Sequence, residues 1–257
     1  EAAVTLKQRG FDVVVFDKRD EIGGNLHVAK KPPFKGKFEW AIDYYKSMAK
    51  KLNITMKLGK EVTAQEVLAL KPYSILVATG SNVISIPLEG LDQVQTVQAH
   101  DVLANDMQFA NKKVVVIGGG ITGLETALYI NRQGTNQVSV VDMLPEWPVD
   151  MLDMRYQNEA LLEVRHCNDQ GVALFYNNKV VKFADGKLFI ESTKDGEAKE
   201  LPADVIVLSV GVKPNDALWQ ELLASGHPSV WKAGDAIATG KINKAVLHGS
   251  KFGYSLN

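Results

Sequence analysis

The segment that most constrains this chain runs from Val114 to Glu125, VVVIGGGITGLE. Val114-Val115-Val116-Ile117 is a run of β-branched residues, the composition of a buried strand. Gly118, Gly120 and Gly123 follow in G-x-G-x-x-G spacing before a helical pattern opens at Leu124. Each glycine has its own reason: Gly118 permits a tight turn, Gly120 lets backbone approach a pyrophosphate, and Gly123 lets helix and strand pack closely. The free N–H groups of the helix start, with Ile121 and Thr122 in its first turn, face the phosphates. A second strand, Gln137 to Val141, ends at Asp142, roughly 20 residues beyond the loop, where a carboxylate accepts hydrogen bonds from ribose hydroxyls. Met143-Leu144-Pro145-Glu146 adds no cation. A 2′-phosphate would therefore be repelled, which favours NAD(H) over NADP(H). Strand, glycines, helix and acid in this order predict a complete dinucleotide-binding βαβ unit; a glycine turn that serves packing alone is the bland alternative.

The unit occurs twice. EAAVTLKQRG (Glu1 to Gly10) matches ETALYINRQG (Glu125 to Gly134) in its opening Glu, small residues, apolar spacing and closing Gly. Val13 to Phe16 and Val138 to Val141 then follow as β runs that stop at Asp17 and Asp142. By analogy the first copy's strand and glycine loop belong just upstream of Glu1, so the sequence reads as a fragment. Ala203 to Gly211 also repeats the strand-to-glycine ending of Ile75 to Gly80. Two such units imply two adenine dinucleotides, one of which can be a flavin.

The bulk properties narrow the chemistry. With 257 residues there is room for two domains, and 46% hydrophobic with 23% charged residues describes a soluble globular chain. Lys plus Arg (29) nearly cancels Asp plus Glu (30), so no general attraction to nucleic acid or anionic membrane is implied. No apolar run reaches the roughly 18 residues of a membrane span. A single cysteine, Cys167, excludes an internal disulfide, a C-x-x-C pair and a cysteine-held cluster within these residues, and makes the cytoplasm the expected compartment.

Along the chain, Lys18 to Asn25 is a polar turn closed by Gly23-Gly24, which would let backbone approach a second pyrophosphate. His27 to Lys37 (HVAKKPPFKGK) reads as a surface loop and a solvated charge cluster. Phe38 to Leu52 is helical, with Trp40 and Tyr44-Tyr45 expected on its core face, and Ile54 to Leu58 is a strand. Thr63 opens a short helix capped by Glu66, and Ser74 to Ala78 is a buried strand. Between Val97 and Asn111 the chain crosses to the second unit. Leu152 to Asn168 is helical. Val172 to Tyr176, Lys179 to Phe183 and Lys187 to Thr193 are short strands with an Asp185-Gly186 turn. Trp231 to Ala236 leads into a helix containing Ala245 to Ser250.

These residues resemble the flavoproteins with two dinucleotide-binding domains. Within them the chain is similar to the C-terminal half of the NADH:flavin oxidoreductases that carry a barrel, the 2,4-dienoyl-CoA reductase and 2-enoate reductase group with its trimethylamine dehydrogenase relatives. The resemblance covers essentially the whole chain. It rests on Asp17, Gly23-Gly24-Asn25, Lys31-Pro32-Pro33, Ala78-Thr79-Gly80, the loop at 118 to 123, Val210 to Asn215, and Ala233-Gly234-Asp235-Ala236. The implied fold is α/β, with two Rossmann-like parallel-sheet domains, the second inserted in the first and the first truncated at its N-terminus. The FAD-binding domain would be 1–105 with 228–257, and the NAD(H)-binding domain 106–227. The resemblance implies that Asp17 holds the FAD ribose and that Gly24 and Asn25 lie along its pyrophosphate. Ala78-Thr79-Gly80 closes over the FAD domain, Asp235 meets the ribityl chain or its phosphate, and Gly211 flanks the nicotinamide route. The helix after Asp235 would aim its N-terminus at the flavin pyrimidine edge. FMN, an iron–sulfur cluster and a barrel domain are implied only N-terminal to this sequence, and the family's first glycine loop is not in it.

The expectation is a hydride passed from NADH to FAD, with no obligatory side-chain acid or base and so no catalytic residue named. The alternatives are a module that holds ADP without turning it over, as in the trimethylamine dehydrogenase branch, and a flavin-free regulator. His166 and Cys167, adjacent on a helix, point apart and make a poor base and nucleophile pair. His100, His227 and His248 lack metal-ligand spacing. Trp147 is read as a loop staple more than an adenine cover.

Overall fold

The computed structural model describes residues 1–145 and 154–257; Trp147, Pro148 and the start of the helix expected from Leu152 lie outside the described residues. Two compact units result. One comprises Glu1–His27, Lys37–Asn82 and Val212–Asn257, and the other Val28–Gly36 and Val83–Gly211. These bounds differ from the expected 1–105, 106–227 and 228–257. The reason is strand pairing: Gln95–Gln98 hydrogen-bonds along Val205–Leu208, so it belongs to the second unit's sheet.

In the first unit the chain forms α1 (Ala2–Gln8), β1 (Val14–Phe16), the single turn α2 (Leu26–Ala29), α3 (Glu39–Lys51), β2 (Thr55–Lys57), α4 (Ala64–Ala69), β3 (Ile75–Val77) and β4 (Ser81–Val83). Helix α4 starts where expected because Thr63 and Glu66 form a reciprocal capping box. Helix α3 departs from expectation. Ile42 is fully buried, but Trp40 is 67% exposed and Tyr44 is also exposed. Trp40 lies under the Lys37 ammonium instead of in a core. Apolar spacing locates a helix, yet its stripe is wider than the face buried here.

The second unit adds β5 (Gln95–Gln98), α5 (Ala99–Ala104), β6 (Lys113–Ile117), α6 (Ile121–Asn131), β7 (Gln137–Val141), α7 (Met154–Asp169), β8 (Ala173–Phe175), β9 (Asn178–Ala184), β10 (Lys187–Ser192), β11 (Ala198–Pro202) and β12 (Val205–Leu208). Five strands form one parallel sheet in the order β5-β12-β6-β7-β8. Strand β6 is buried on both faces, as a central parallel strand must be. Val114 and Val116 meet Leu124, Leu128 and Val164 from α6 and α7 on one side. Val115 and Ile117 meet Phe183, Leu188 and Ile190 of the antiparallel sheet β11-β10-β9 on the other. Truncating one such core aliphatic to Ala costs about 2–5 kcal/mol. The β9–β10 turn follows its sequence, with Asp185 at φ 50° and Gly186 at φ 73°.

The chain returns to the first unit through β13 (Val212–Pro214), α8 (Ala217–Ala224), β14 (Val230–Lys232) and α9 (Ile242–Ser255). Strand β14 pairs in parallel with β3, and Ile75, Val77 and Leu222 form a small core with α4 and α8. Helices α1 and α9 approach closely enough that a Cβ at Gly253 would lie 2.6 Å from the Thr5 side chain. The internal repeat is visible in conformation: Gly10 and Gly134, which close α1 and α6, both take left-handed φ, 90° and 110°.

Candidate functional site

In the second unit the glycine loop leaves β6 where the strand order divides, with β7 on one side and β12 on the other. This is where open α/β sheets bind ligands. The three glycines occupy different environments. At Gly118 φ is 105°, and an added Cβ would lie 2.3 Å from the Ser209 carbonyl of the neighbouring strand end. At Gly123 it would lie 1.9 Å from the Gly118 carbonyl, so only hydrogen fits between helix and loop. At Gly120 it would meet nothing within 4 Å. Packing therefore explains Gly118 and Gly123 but not Gly120, whose surroundings are open to a ligand. Gly120 is the N-cap of α6 and, being glycine, offers the helix start no side-chain cap of its own. The Gly120, Ile121 and Thr122 amides thus stand at a helix start whose N-cap residue supplies no acceptor side chain.

Asp142 closes one flank. Its Oδ2 accepts the Gly119 N–H at 2.6 Å and its Oδ1 accepts the Leu144 N–H at 2.8 Å. Each oxygen keeps a lone pair for a ribose hydroxyl. The Asn178 and Asn177 amides tie the end of β8 to the Asp142 and Leu144 carbonyls. The Tyr176 ring lies 3.0 Å from an added Cβ at Gly119. Met143 and Leu144, both uncharged, are exposed beside the acid. Tyr176 and the two asparagines were not singled out in the sequence, because their place beside the loop comes from strand pairing. Gly211, at φ 103° beyond β12, accepts the Ile84 amide.

The second unit also corrects the reading of residues 27 to 37. Far from being a solvated cluster, 28–36 is fastened to α6 and α7. Lys31 pairs with Asp106 at 2.5 Å. Lys35, with its side chain 18% exposed, pairs with Glu125 and lies 2.6 Å from Glu159. Phe34 takes a left-handed φ of 69° and stands between the Arg132 guanidinium and the His166 ring. Burial alone would lower the Lys35 pKa, but hydrogen bonds and attraction from both carboxylates outweigh it and hold it above the usual lysine value. Burial raises the Glu125 carboxyl, helped by Glu163 and Glu159 and opposed by Lys35. His166 Nδ1 is 3.6 Å from Glu163. Cys167 is fully buried, and burial pushes its thiol up to about 12. A group of that kind is no nucleophile at neutral pH.

In the first unit Asp17 Oδ1 accepts the Arg19 amide at 2.9 Å, and the Arg19 guanidinium donates to the Gly24 carbonyl at 2.8 Å. Gly23 and Gly24 have φ 125° and 52°, and nothing lies within 4 Å of an added Cβ at Gly24. Asn25 follows directly, ahead of α2. Thr79 donates to the Asn215 carbonyl at 2.5 Å and the Asn215 amide returns to Gly80, so Ala78-Thr79-Gly80 is tied to the start of the returning segment. Asp235 accepts the Gly240 amide at 3.0 Å and the Ser81 hydroxyl at 3.4 Å, with Ala236 buried beside it. Arg19 was missed by sequence reading, since nothing in its spacing marks a guanidinium that folds back on a carbonyl five residues on.

A βαβ unit with an open Gly120 at a helix start and an acid at the second strand end defines a protein of the dinucleotide-binding α/β class. The chain belongs to the pyridine nucleotide-disulphide oxidoreductase family, whose profile matches residues 1–247. It is 30% identical to an NADH oxidase of Thermoanaerobacter brockii, over 100% of this chain and 39% of that protein. It is 33% identical to a bilirubin reductase of Mediterraneibacter gnavus, over 84% of this chain and 32% of that protein. A solved 2-naphthoyl-CoA reductase superposes with TM-score 0.88 at 27% identity, covering 100% of this chain and 38% of that one. A thioredoxin reductase of T. acidophilum shares the fold, with TM-score 0.69 at 19% identity over 92% of its length. The chain thus spans about two fifths or less of the larger oxidoreductases it matches. The family's name includes a disulphide, but Cys167 is the one cysteine in this sequence, so no redox pair forms within it.

The family implies FAD and NAD(H), and the residues fit them. The open backbone at Gly120 and Gly24, and the remaining lone pairs on Asp142 and Asp17, offer what a pyrophosphate and a ribose require. Among the described residues no group of three or more His, Cys, Asp or Glu could hold a metal ion, and no helix is long and apolar enough to cross a membrane.

Proposed function

We propose that the chain is the pyridine-nucleotide and flavin module of an NADH-dependent flavoprotein oxidoreductase. NADH would bind on β6, α6 and Asp142, and FAD on the segments carrying Asp17, Gly23-Gly24-Asn25, Ala78-Thr79-Gly80 and Gly234-Asp235-Ala236. The observation that carries this reading is Gly120, a glycine with open space around it at the N-cap of α6, beside a carboxylate. When bound, NADH supplies a hydride and FAD accepts it. The protein's own work is to hold and align. The α6 amides neutralise a diphosphate, Asp142 selects a ribose with a free 2′-hydroxyl, and the apolar Met143–Leu144 rim gives a 2′-phosphate no counter-charge. The first turn of α9 would place its positive end toward charge gathering on the flavin, and Gly211 would flank the nicotinamide route.

In the whole protein we place a barrel domain with FMN and an iron–sulfur cluster on the N-terminal side, as the lengths of the matched reductases suggest. A lone buried cysteine suits a reducing cytoplasm. Anaerobic titration of the flavin-loaded protein with NADH tests the reading, with loss of the visible flavin band as the expected result. Tight ADP binding with the flavin left oxidised would instead identify the non-catalytic nucleotide module of the trimethylamine dehydrogenase kind.

A further inference from the structure

We infer that His248 is a positioning residue for the flavin end of the first unit. Its imidazole Nδ1 holds the Gly234–Asp235 turn in the shape that presents the Asp235 carboxylate, an inference that rests on the FAD reading above.

The turn sits under α9. At Gly234 φ is 61°, and an added Cβ would lie 3.3 Å from the Ala245 Cβ, so the helix presses directly on this residue. His248 lies three positions beyond Ala245, on the same helix face. Its Nδ1 accepts the Gly234 N–H at 3.2 Å. One residue earlier, the Ala233 amide donates to Val77 at 2.9 Å. One residue later, the Asp235 oxygens accept from the Gly240 amide and, at 3.4 Å, from the Ser81 hydroxyl. The Ile237 amide donates to the Gly234 carbonyl at 3.0 Å and closes the turn that carries Asp235, while His248 fixes the peptide plane between Ala233 and Gly234 at its entrance. An imidazole nitrogen accepts only when unprotonated, so the bond assigns the proton to Nε2. His248 does not touch the carboxylate; it acts through the turn.

The test uses the complete protein, stripped of flavin and reconstituted with FAD. His248→Leu removes the acceptor at similar volume, and His248→Asn can return an oxygen near the position of Nδ1. Expected are a dissociation constant for FAD raised about tenfold in His248→Leu, a value within about threefold of the parent in His248→Asn, and a shifted flavin reduction potential in the leucine variant only. Nitrogen chemical shifts of the parent's His248 should show a bare Nδ1, a reading that needs no variant to fold. Equal FAD retention in parent and His248→Leu overturns the inference, as does a protonated Nδ1 or an asparagine variant as impaired as the leucine one. A parent that takes up no FAD overturns the functional reading itself, and the inference with it.

Discussion

The Gly119 amide donates to the Asp142 carboxylate at 2.6 Å, joining the loop after β6 to the end of β7. One residue thereby shapes the glycine loop and, in the proposed reading, would offer its remaining lone pairs to the ribose. Replacing Asp142 by Ala should weaken NADH by about tenfold or more, because a charged hydrogen-bond partner is lost. NADPH, already repelled by the carboxylate, should lose far less. Titrating both nucleotides against parent and variant checks this. An unchanged NADH-to-NADPH ratio would remove Asp142 from the selection of cofactor.

Gly120 and Gly123 should separate binding from folding. Gly120→Ala meets nothing, so its stability should stay within about 0.5 kcal/mol of the parent while NADH affinity falls at least about tenfold. Gly123→Ala drives a methyl into the Gly118 carbonyl and should cost about 1–3 kcal/mol in folding. Urea unfolding beside NADH titration distinguishes the two, and equal stability losses would contradict the packing argument.

The Lys35 cluster carries a pH signature. Glu125 has a folded pKa raised above its unfolded value, so the protonated acid favours the folded state. Its contribution is fully present below the ordinary carboxylate pKa of roughly 4.5 and is lost as pH rises through the folded pKa. Glu125→Gln, which mimics the protonated form and leaves Glu159 to neutralise Lys35, should gain stability relative to the parent as pH rises from 4 to about 7. Lys35→Met should do the opposite and cost about 2–4 kcal/mol near neutral pH, since it strands buried carboxylates. Denaturation midpoints across that range measure both.

Cys167 should be silent. Burial pushes its thiol up to about 12, so alkylating reagents should label it only after unfolding. Cys167→Ala should leave flavin reduction by NADH within about twofold of the parent. A larger loss would reopen thiol chemistry in this chain.

Much of the candidate site is legible in the sequence because backbone demands it. Val114 to Ile117, the glycines and Asp142 are constrained by local geometry, and the structure places them in one βαβ unit. What was not legible depends on partners distant in the chain. Lys35 reads as a solvent charge until Glu125 and Glu159 stand beside it, and Trp40 and Tyr44 sit on a helix whose buried face is narrow enough to be filled by Ile42. Strand β11 has mostly exposed residues and no alternating pattern to announce it, and α8 was passed over between two clearer elements. The strand Gln95–Gln98 is too polar to declare which sheet it joins. His248 was weighed only as a metal ligand, whereas its bond to Gly234 follows from how α9 docks.

The most direct measurement is anaerobic stopped-flow mixing of the FAD-loaded complete protein with NADH and, separately, NADPH. The account predicts rapid bleaching of the flavin by NADH, with NADPH at least about tenfold less effective, and a half-saturating NADH concentration raised at least about tenfold in Gly120→Ala. Flavin that stays oxidised with NADH, or a half-saturating NADH concentration unmoved by a methyl at residue 120, would contradict it.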